Sequence, residues 1–308
     1  MERNIEQYKN ICLEYELPIF FTVEWLNSTA GYEGWDYLTF YKKNRLIAVC
    51  TFSYKNKIIF TPKLTPYLGP FFIESNISKV SDKRDAINYF IKSFPKFINF
   101  KLKMFPNQNY WIPFHWGEFK QSSFITYIYE GCNENFLKEI DYSKRKQINK
   151  SLKNEKLTNE ISIKIFYKLL VNQFGHNLSY SYELLESIIT TAYDGGYGKI
   201  YGIINSDNII VAANFVVWDN KYVYNLISYI DPLRNNTGAS ARVIYEIIND
   251  LKLLNLKFNF EGSMINGVEK SFSLFSTKEY YYNIITKKNT KEWLLSKFLE
   301  KIKMKKNI

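Results

Sequence analysis

Histidine and cysteine are scarce in this chain, which has two histidines and three cysteines among 308 residues. The cysteines stand far apart and include no Cys-x-x-Cys pair, so the sequence predicts neither a disulfide framework nor a zinc site. With only His115 and His176 available, a two-histidine metal helix and a Ser-His-Asp triad are both disfavoured. The scarcity therefore argues against metalloenzymes and triad hydrolases, and we expect no metal.

Long apolar runs are also missing. No segment approaches the roughly 20 apolar residues of a membrane-spanning helix, and the polar start MERNIEQYKN does not resemble a secretory signal. We therefore expect a cytoplasmic protein without a transmembrane segment. Hydrophobic residues make up 46% of the chain, which is enough to bury the core of one large domain or two ordinary ones.

Acidic residues are fewer than basic ones, and the formal net charge is +11. Such a charge suits a polyanionic partner such as tRNA, a lipid surface or a phosphorylated cofactor. The simpler interpretation is compositional, because the chain is rich in Lys, Asn, Ile, Tyr and Phe, as proteins of AT-rich genomes are, and its lysines are spread widely.

Hydrophobic periodicity predicts an order of elements that occurs twice. The first half is predicted to contain a hairpin over Tyr37–Tyr54, a strand at Lys57–Phe60, a helix at Asp82–Phe94, and strands at Ile98–Phe105 and Phe124–Tyr129. The second half is predicted to contain helices at Tyr142–Asn154 and Tyr182–Tyr193, a strand pair over Lys199–Val217, a strand at Lys221–Ile230, a helix at Gly238–Leu254 and a strand at Leu256–Phe260. The repeated order predicts a duplicated α/β unit with a boundary near Ile140, that is, domains 1–140 and 141–308.

A candidate anion site lies where the strand ending at Ile230 leads into the predicted helix. Asp231-Pro232 ends the strand, and Thr237 is expected to cap the helix. The small residues that follow let an anion approach free backbone amides, and a nearby arginine and the helix dipole add positive potential. The predicted cofactor-binding residues are Arg234, Thr237, Gly238, Ala239 and Ser240.

Polar residues follow the strand that ends at Phe260. The run Glu261-Gly262-Ser263 stands at the carboxyl end of a strand, where α/β sheets bind ligands. Glu261 is the best candidate for a general base or an amine-orienting carboxylate, and Ser263 is counted with it as a catalytic candidate. The alternative is a solvated strand end.

Five segments carry a resemblance to a known family. They are IFFTVEWL from Ile19, LTPYLGPFF from Leu64, NYWIPFHWGEFKQSSFITYIYE from Asn109, YSKRKQINKSLKN from Tyr142 and FNFEGSMINGVEKSFSLFS from Phe258. In this order, and over nearly the whole chain, they resemble the bacterial GNAT superfamily acyltransferases that carry a Fem-like or BioF2-like acetyltransferase domain. One departure stands out, because Thr237 occupies the place of the first glycine in the family's phosphate loop.

The resemblance implies an α/β (α+β) fold made of two GNAT-like halves, with mixed, mostly antiparallel sheets flanked by helices. It implies an N-acyltransferase that moves an acyl group, with acetyl as the expected one, from acyl-CoA to a small amine such as an amino sugar or amino acid. Tyr281, within Tyr280–Tyr282, stands where the family places a general acid. The acceptor-binding candidates are His115, Trp116 and Tyr182, for which aromatic packing is the alternative.

Two other functions stay open at this stage. One is a Fem-type transferase that uses aminoacyl-tRNA and acts on a peptidoglycan precursor, which the positive charge suits. The other is a non-catalytic binding module that keeps the tandem fold. The tail from Thr290 to Ile308 is predicted to be a basic amphipathic helix, docked on the protein itself or on an anionic membrane.

Overall fold

The computed structural model describes residues 3–131, 133–235, 237–250, 253, 255–262 and 264–289. These residues group into two compact units, 3–124 with 281–289, and 125–280. The sequence pattern suggests a single boundary near Ile140, whereas the structure returns the last described strand to the first unit. The predicted helix over 290–308 lies outside the described residues. None of the described helices is long and apolar enough to cross a membrane.

The first unit combines strands with four described α-helices. The strands are β1 (Trp35–Lys42), β2 (Arg45–Lys55), β3 (Ile58–Phe60), β4 (Gly69–Phe72), β5 (Asn99–Lys103), the start of β6 (Lys120–Tyr129) and most of β12 (Lys278–Lys288). The helices are α1 (Ile5–Glu14), α2 (Val23–Ala30), α3 (Val80–Ser93) and α4 (Ile112–Trp116). β1, β2, β3, β5 and β12 are neighbours in that order, β4 pairs with β2, and β3–β5 is the parallel pair among those described.

The predicted hairpin over Tyr37–Tyr54 is confirmed. Lys42 pairs with Arg45, and the two turn residues between them, Lys43 and Asn44, both have positive φ, as a two-residue turn that follows the strand twist requires. α3 is also confirmed, and it buries Ile87 and Phe90 against the sheet, where they pack with Phe100 in the core of this unit. Burial of three such side chains removes much apolar surface from water and stabilises the unit.

The second unit repeats the arrangement. Its strands are the end of β6, β7 (Lys156–Thr158), β8 (Gly198–Ile204), β9 (Ile210–Trp218), β10 (Tyr222–Ile230) and β11 (Lys257–Asn259). Its helices are α5 (Phe136–Glu139), α6 (Tyr142–Asn154), α7 (Ile163–Phe174), α8 (Tyr182–Asp194), α9 (Ala239–Ile248) and α10 (Asn266–Ser273). The strand order is β6-β11-β10-β9-β8-β7, and β10–β11 is its parallel pair among the described strands.

In each unit an antiparallel hairpin is followed by a strand, a helix and a second strand that closes a parallel pair. The predicted tandem fold of mixed, mostly antiparallel sheets flanked by helices is therefore confirmed. α9 presents Val243, Ile244 and Ile247 to the core of its unit, as its apolar periodicity predicts. It ends earlier than predicted, because Asn249 caps it and the Asp250 carboxylate accepts hydrogen bonds from Lys199 and Tyr201.

A cluster of charges joins the ends of strands in the second unit. The Glu130 carboxylate accepts hydrogen bonds from the Lys257 ammonium, the Tyr280 hydroxyl at 2.6 Å and the Lys278 ammonium at 2.8 Å. Burial by itself raises the pKa of Glu130, but these three donors outweigh it and hold the pKa at about 2. Glu130 therefore stabilises the folded state only while it is ionised.

The cluster predicts a loss of stability in acid. Because the folded pKa of Glu130 lies below the unfolded one, its contribution is fully present above about pH 5 and is lost as the pH falls toward 2. We expect this residue to contribute about 1–3 kcal/mol to that loss. Urea unfolding at a series of pH values should show a shallower acid dependence for Glu130→Gln than for the wild type. Equal slopes in the two proteins would contradict the assigned role.

Candidate functional site

The site begins where two parallel strands of the second unit part. β10 and β11 pair through Tyr222–Tyr224 and Lys257–Asn259, after which β10 continues to Ile230 without its partner. The register of β10 against β9 shifts between Asn225 and Ile227, which marks a bulge. A bulge bends its strand and increases the local twist, so the divergence is built into the sheet.

A cleft of about 430 Å³ lies beside this divergence. It is bounded by the first turns of α9 and by α10, and the end of α7 and the start of α6 complete its wall. Phe272, Phe275 and Ile244 supply apolar surface, and the remaining wall contains amides, hydroxyls and one ammonium group. A mostly apolar concavity with a few convergent polar groups is the usual form of a small-molecule site.

Polar side chains of β9 and β10 form a chain of hydrogen bonds in the wall of the cleft. The Asn214 amide donates to the Asn225 carbonyl oxygen at 2.8 Å, and the Asn225 amide donates to the Ser228 hydroxyl at 3.1 Å. Both asparagines are buried in otherwise apolar strands. Buried amides held in this way have fixed orientation, which suits the recognition of a ligand.

The edge of β10 is held from α7. The Ile230 amide donates to the Gln173 side-chain oxygen at 3.2 Å, and Gln173 also lines the cleft. A backbone amide at a strand edge needs a hydrogen-bond acceptor, and here the Gln173 side chain supplies it for Ile230. The hydrogen bond therefore holds the end of α7 beside the cleft. α7 was not among the predicted helices, although Phe166 and Leu170 follow helical spacing.

The start of α9 departs from the predicted capping. The N-cap is Gly238, in a left-handed conformation with φ +94°, and the Thr237 hydroxyl accepts from the Ala239 amide at 3.2 Å. The Ala241 amide donates to the Gly238 carbonyl oxygen at 3.1 Å. Ser240 and Ala241 line the cleft, so a groove does run beside this helix end.

α6 packs closely over the same helix end. A Cβ placed on Gly238 would lie 2.2 Å from the carbonyl oxygen of Gln147, which shows how near the α6 backbone comes. In the preceding loop the guanidinium of Arg234 forms a salt bridge with the Asp231 carboxylate at 2.8 Å. The Arg234 side chain is 39% exposed. A phosphate bound here would meet the loop of Arg234 and Thr237 more readily than the amides after Gly238.

Glu261 follows β11 and is not among the described residues that line the cleft. Phe258 and Phe260 join the core that includes α9, and Asn259 between them points to the other face of the sheet. Glu261 has φ +60°, an uncommon conformation for a residue with a side chain, and its amide donates to the Asn259 side-chain oxygen at 2.9 Å. Burial raises the pKa of Tyr224, and Asp219 and then Glu261 add to that rise, which places the Glu261 carboxylate near Tyr224.

The other predicted site residues are dispersed. Ser263 lies outside the described residues, and Tyr182 in α8 donates to Glu186 at 2.7 Å and is not part of the cleft wall. In the first unit, His115 and Trp116 lie exposed on α4, with His115 edge-on to Trp111. Tyr281 in β12 also belongs to the first unit and is 50% exposed.

Several residues of the cleft were not singled out from the sequence. Asn214, Asn225 and Ser228 interrupt apolar strands, which was a readable signal of buried polar groups. Lys144 shares a helix face with the buried Ile148 and is itself 6% exposed, although it stands in the basic run Lys144-Arg145-Lys146. Among the described residues, no group of three or more His, Cys, Asp or Glu side chains is arranged to hold a metal ion.

Comparison with solved structures relates the fold to known proteins. The chain is similar to FemX, with a TM-score of 0.66, 10% identity, and coverage of 92% of this chain and 96% of that one. It is similar to L-PGS from Bacillus licheniformis, with a TM-score of 0.54, 10% identity, and coverage of 98% and 97%. It is also similar to a tandem GNAT protein from the clavulanic acid biosynthesis pathway, with a TM-score of 0.52, 6% identity and coverage of 82% of both chains.

At these identities the likeness shows the fold, which is the tandem GNAT and Fem-like fold that the sequence resemblance implies. No protein-family model and no curated protein sequence matches the chain.

Proposed function

We propose that this protein is an acyltransferase that moves an acyl group from an activated donor to an amine, with the cleft of the second unit as the donor site. The divergence of β10 from β11 beside α9 carries the proposal, because it opens a concave site with oriented polar side chains next to the part of β10 that β11 does not pair with. The fold supports it, since the fold neighbours include a GNAT acetyltransferase from Colwellia psychrerythraea.

The reaction needs few groups from the protein. An amine attacks the carbonyl carbon of a thioester or ester, the carbonyl oxygen becomes an oxyanion, and the amine loses a proton. In this proposal Glu261, which stands two residues after the last β11 residue paired with β10 and is not among the described residues of the cleft wall, accepts that proton. Ser263 and Tyr281 are the further candidates for proton transfer to the leaving group, and His115, Trp116 and Tyr182 are the candidates for acceptor binding.

Our leading donor is an acyl-CoA such as acetyl-CoA, with an amino sugar or amino acid as acceptor. The loop containing Arg234 and Thr237 would meet the diphosphate, and Ser240 would border the acyl arm in the cleft. A thermal shift titration with CoA and acetyl-CoA should stabilise the protein by about 2–3 kcal/mol at a hundredfold excess over Kd. No shift at millimolar concentrations would remove acyl-CoA as donor.

Arg234→Ala tests the loop directly. Loss of a charge-assisted contact to a diphosphate should weaken CoA binding about tenfold or more, as measured by calorimetry. Arg84→Ala is the matched control, because Arg84 is a comparably exposed arginine of the first unit that pairs with Asp85. Equal CoA affinity of the two variants would place the diphosphate elsewhere.

The second candidate donor is aminoacyl-tRNA, with a peptidoglycan precursor as acceptor. The observation in its favour is the close packing of Gln147 on Gly238, since it leaves less room for a diphosphate at the start of α9. The net charge of +11 suits the same donor. Affinity for tRNA measured by filter binding should fall steeply with salt concentration if this donor is used. Absence of tRNA binding at low salt would exclude it.

A further inference from the structure

Lys144 is a buried cation for which the described part of the chain supplies no carboxylate partner. The residue is 6% exposed, and its ammonium donates to the Ser271 hydroxyl at 2.7 Å and lies 4.9 Å from the centre of the Phe275 ring. Among the residues that the structure describes, it forms no ion pair. Asp141, three residues earlier, uses its carboxylate to cap α6 through the Ser143 amide at 2.8 Å.

The rest of the cleft wall does not neutralise this charge. The other polar side chains that line it are asparagines, a glutamine and serines, all of which are neutral. Burial lowers the pKa of Lys144, and the charge of Asp141 opposes that fall only in part. The described wall of the cleft therefore carries one positive charge and no negative one.

Such an arrangement is costly to the folded protein. A hydroxyl and a ring face compensate an ammonium less well than a carboxylate does, and an ion taken out of water costs several kcal/mol unless it is paired. Buried ionisable groups with shifted pKa values cluster at functional sites, where a ligand can supply the partner. The position of the charge in the wall of a ligand-sized cleft gives it that access.

We infer that Lys144 is a specificity-determining residue that binds a carboxylate of the substrate, with the Ser271 hydroxyl as its neighbour in the same contact. One ammonium beside one hydroxyl matches a singly charged carboxylate, whereas a phosphate dianion usually meets several cations or backbone amides. The inference rests on the proposed function and narrows its substrates. The carboxylate belongs either to an amino acid acceptor or to a dicarboxylic acyl group.

Paired probes separate these two sources. Succinyl-CoA and butyryl-CoA differ at the chain end by a carboxylate in place of a methyl group, and alanine and serine differ from their amides in the same charge. Calorimetry on the wild-type protein should show one carboxylate probe binding about 10- to 100-fold more tightly than its neutral counterpart. In Lys144→Met the two members of that pair should bind equally. Lys146→Met, an exposed lysine on the same helix, should keep the wild-type preference.

The ligand-free proteins provide a second measurement. Lys144→Met keeps the length of the side chain and removes the uncompensated charge, so its Tm should rise by about 2–4 °C, with no change for Lys146→Met. A purely structural lysine would instead give a lower Tm on substitution. The inference is overturned if no carboxylate probe outbinds its neutral counterpart, if Lys144→Met keeps the preference, or if its Tm falls.

Failure here is distinguishable from failure of the proposed function. Acyl transfer by wild type and Lys144→Met alike, without a carboxylate preference, would leave an acyltransferase and remove this role for Lys144. If alanine or serine binds more tightly than its amide and no CoA ester binds, the result would support carboxylate binding by Lys144 and count against acyl-CoA as the donor.

Discussion

Replacing Glu261 by glutamine is expected to lower the rate of acyl transfer by about 100- to 10,000-fold, because the amide cannot accept the proton that the attacking amine releases. The two side chains have nearly the same shape, so the fold should be unaffected. The φ of +60° and the hydrogen bond from the Glu261 amide to Asn259 do not depend on the carboxylate. The measurement is kcat with the donor that the thermal shift titration identifies.

Glu160→Gln is the control, since Glu160 is an exposed carboxylate of the same unit. The rate of Glu160→Gln should match that of the wild type. The Tm of both variants should stay close to the wild-type Tm. A Glu261→Gln variant that turns over at the wild-type rate would show that another group accepts the proton. If the protein has no turnover, and Glu261→Gln and Arg234→Ala both keep affinity for a partner, the protein is a binding module instead.

Replacing Gly238 by alanine is expected to destabilise the protein by about 2–4 kcal/mol. Two costs combine. The left-handed backbone at φ +94° disfavours a side chain, and the new Cβ would lie 2.2 Å from the Gln147 carbonyl oxygen, so α6 would have to move. Urea denaturation measures the change in the free energy of unfolding.

Gly196→Ala separates the two costs. Gly196 also has positive φ, +69°, but a Cβ there would meet no atom within 4 Å, so only the backbone term of about 1 kcal/mol applies. The difference between the variants measures the packing of α6 on the start of α9. Equal losses would contradict that packing, and with it the observation that favours aminoacyl-tRNA as the donor.

Local sequence patterns determined most of the secondary structure. The positive-φ turn at Lys43 and Asn44, the apolar face of α9 and the bounds of α6 all follow from interactions between residues close in the chain, which periodicity and turn chemistry report. The order of elements, appearing twice, was sufficient for the tandem fold. Five short segments then suggested the family whose fold the structure has.

Only the tertiary structure decided how the second unit makes a site. Lys144 lies in a run of basic residues, and its burial depends on Ser271 and Phe275, which are more than 120 residues away in the chain. The approach of Gln147 to Gly238 and the return of β12 to β5 are likewise contacts between distant segments. The periodicity of hydrophobic residues indicates which face of a helix or strand is apolar, but it does not indicate which other element packs against that face. For that reason the sequence identified the loop before α9 and the end of β11, and the structure alone showed a cleft whose described wall holds the ammonium of Lys144 and no carboxylate.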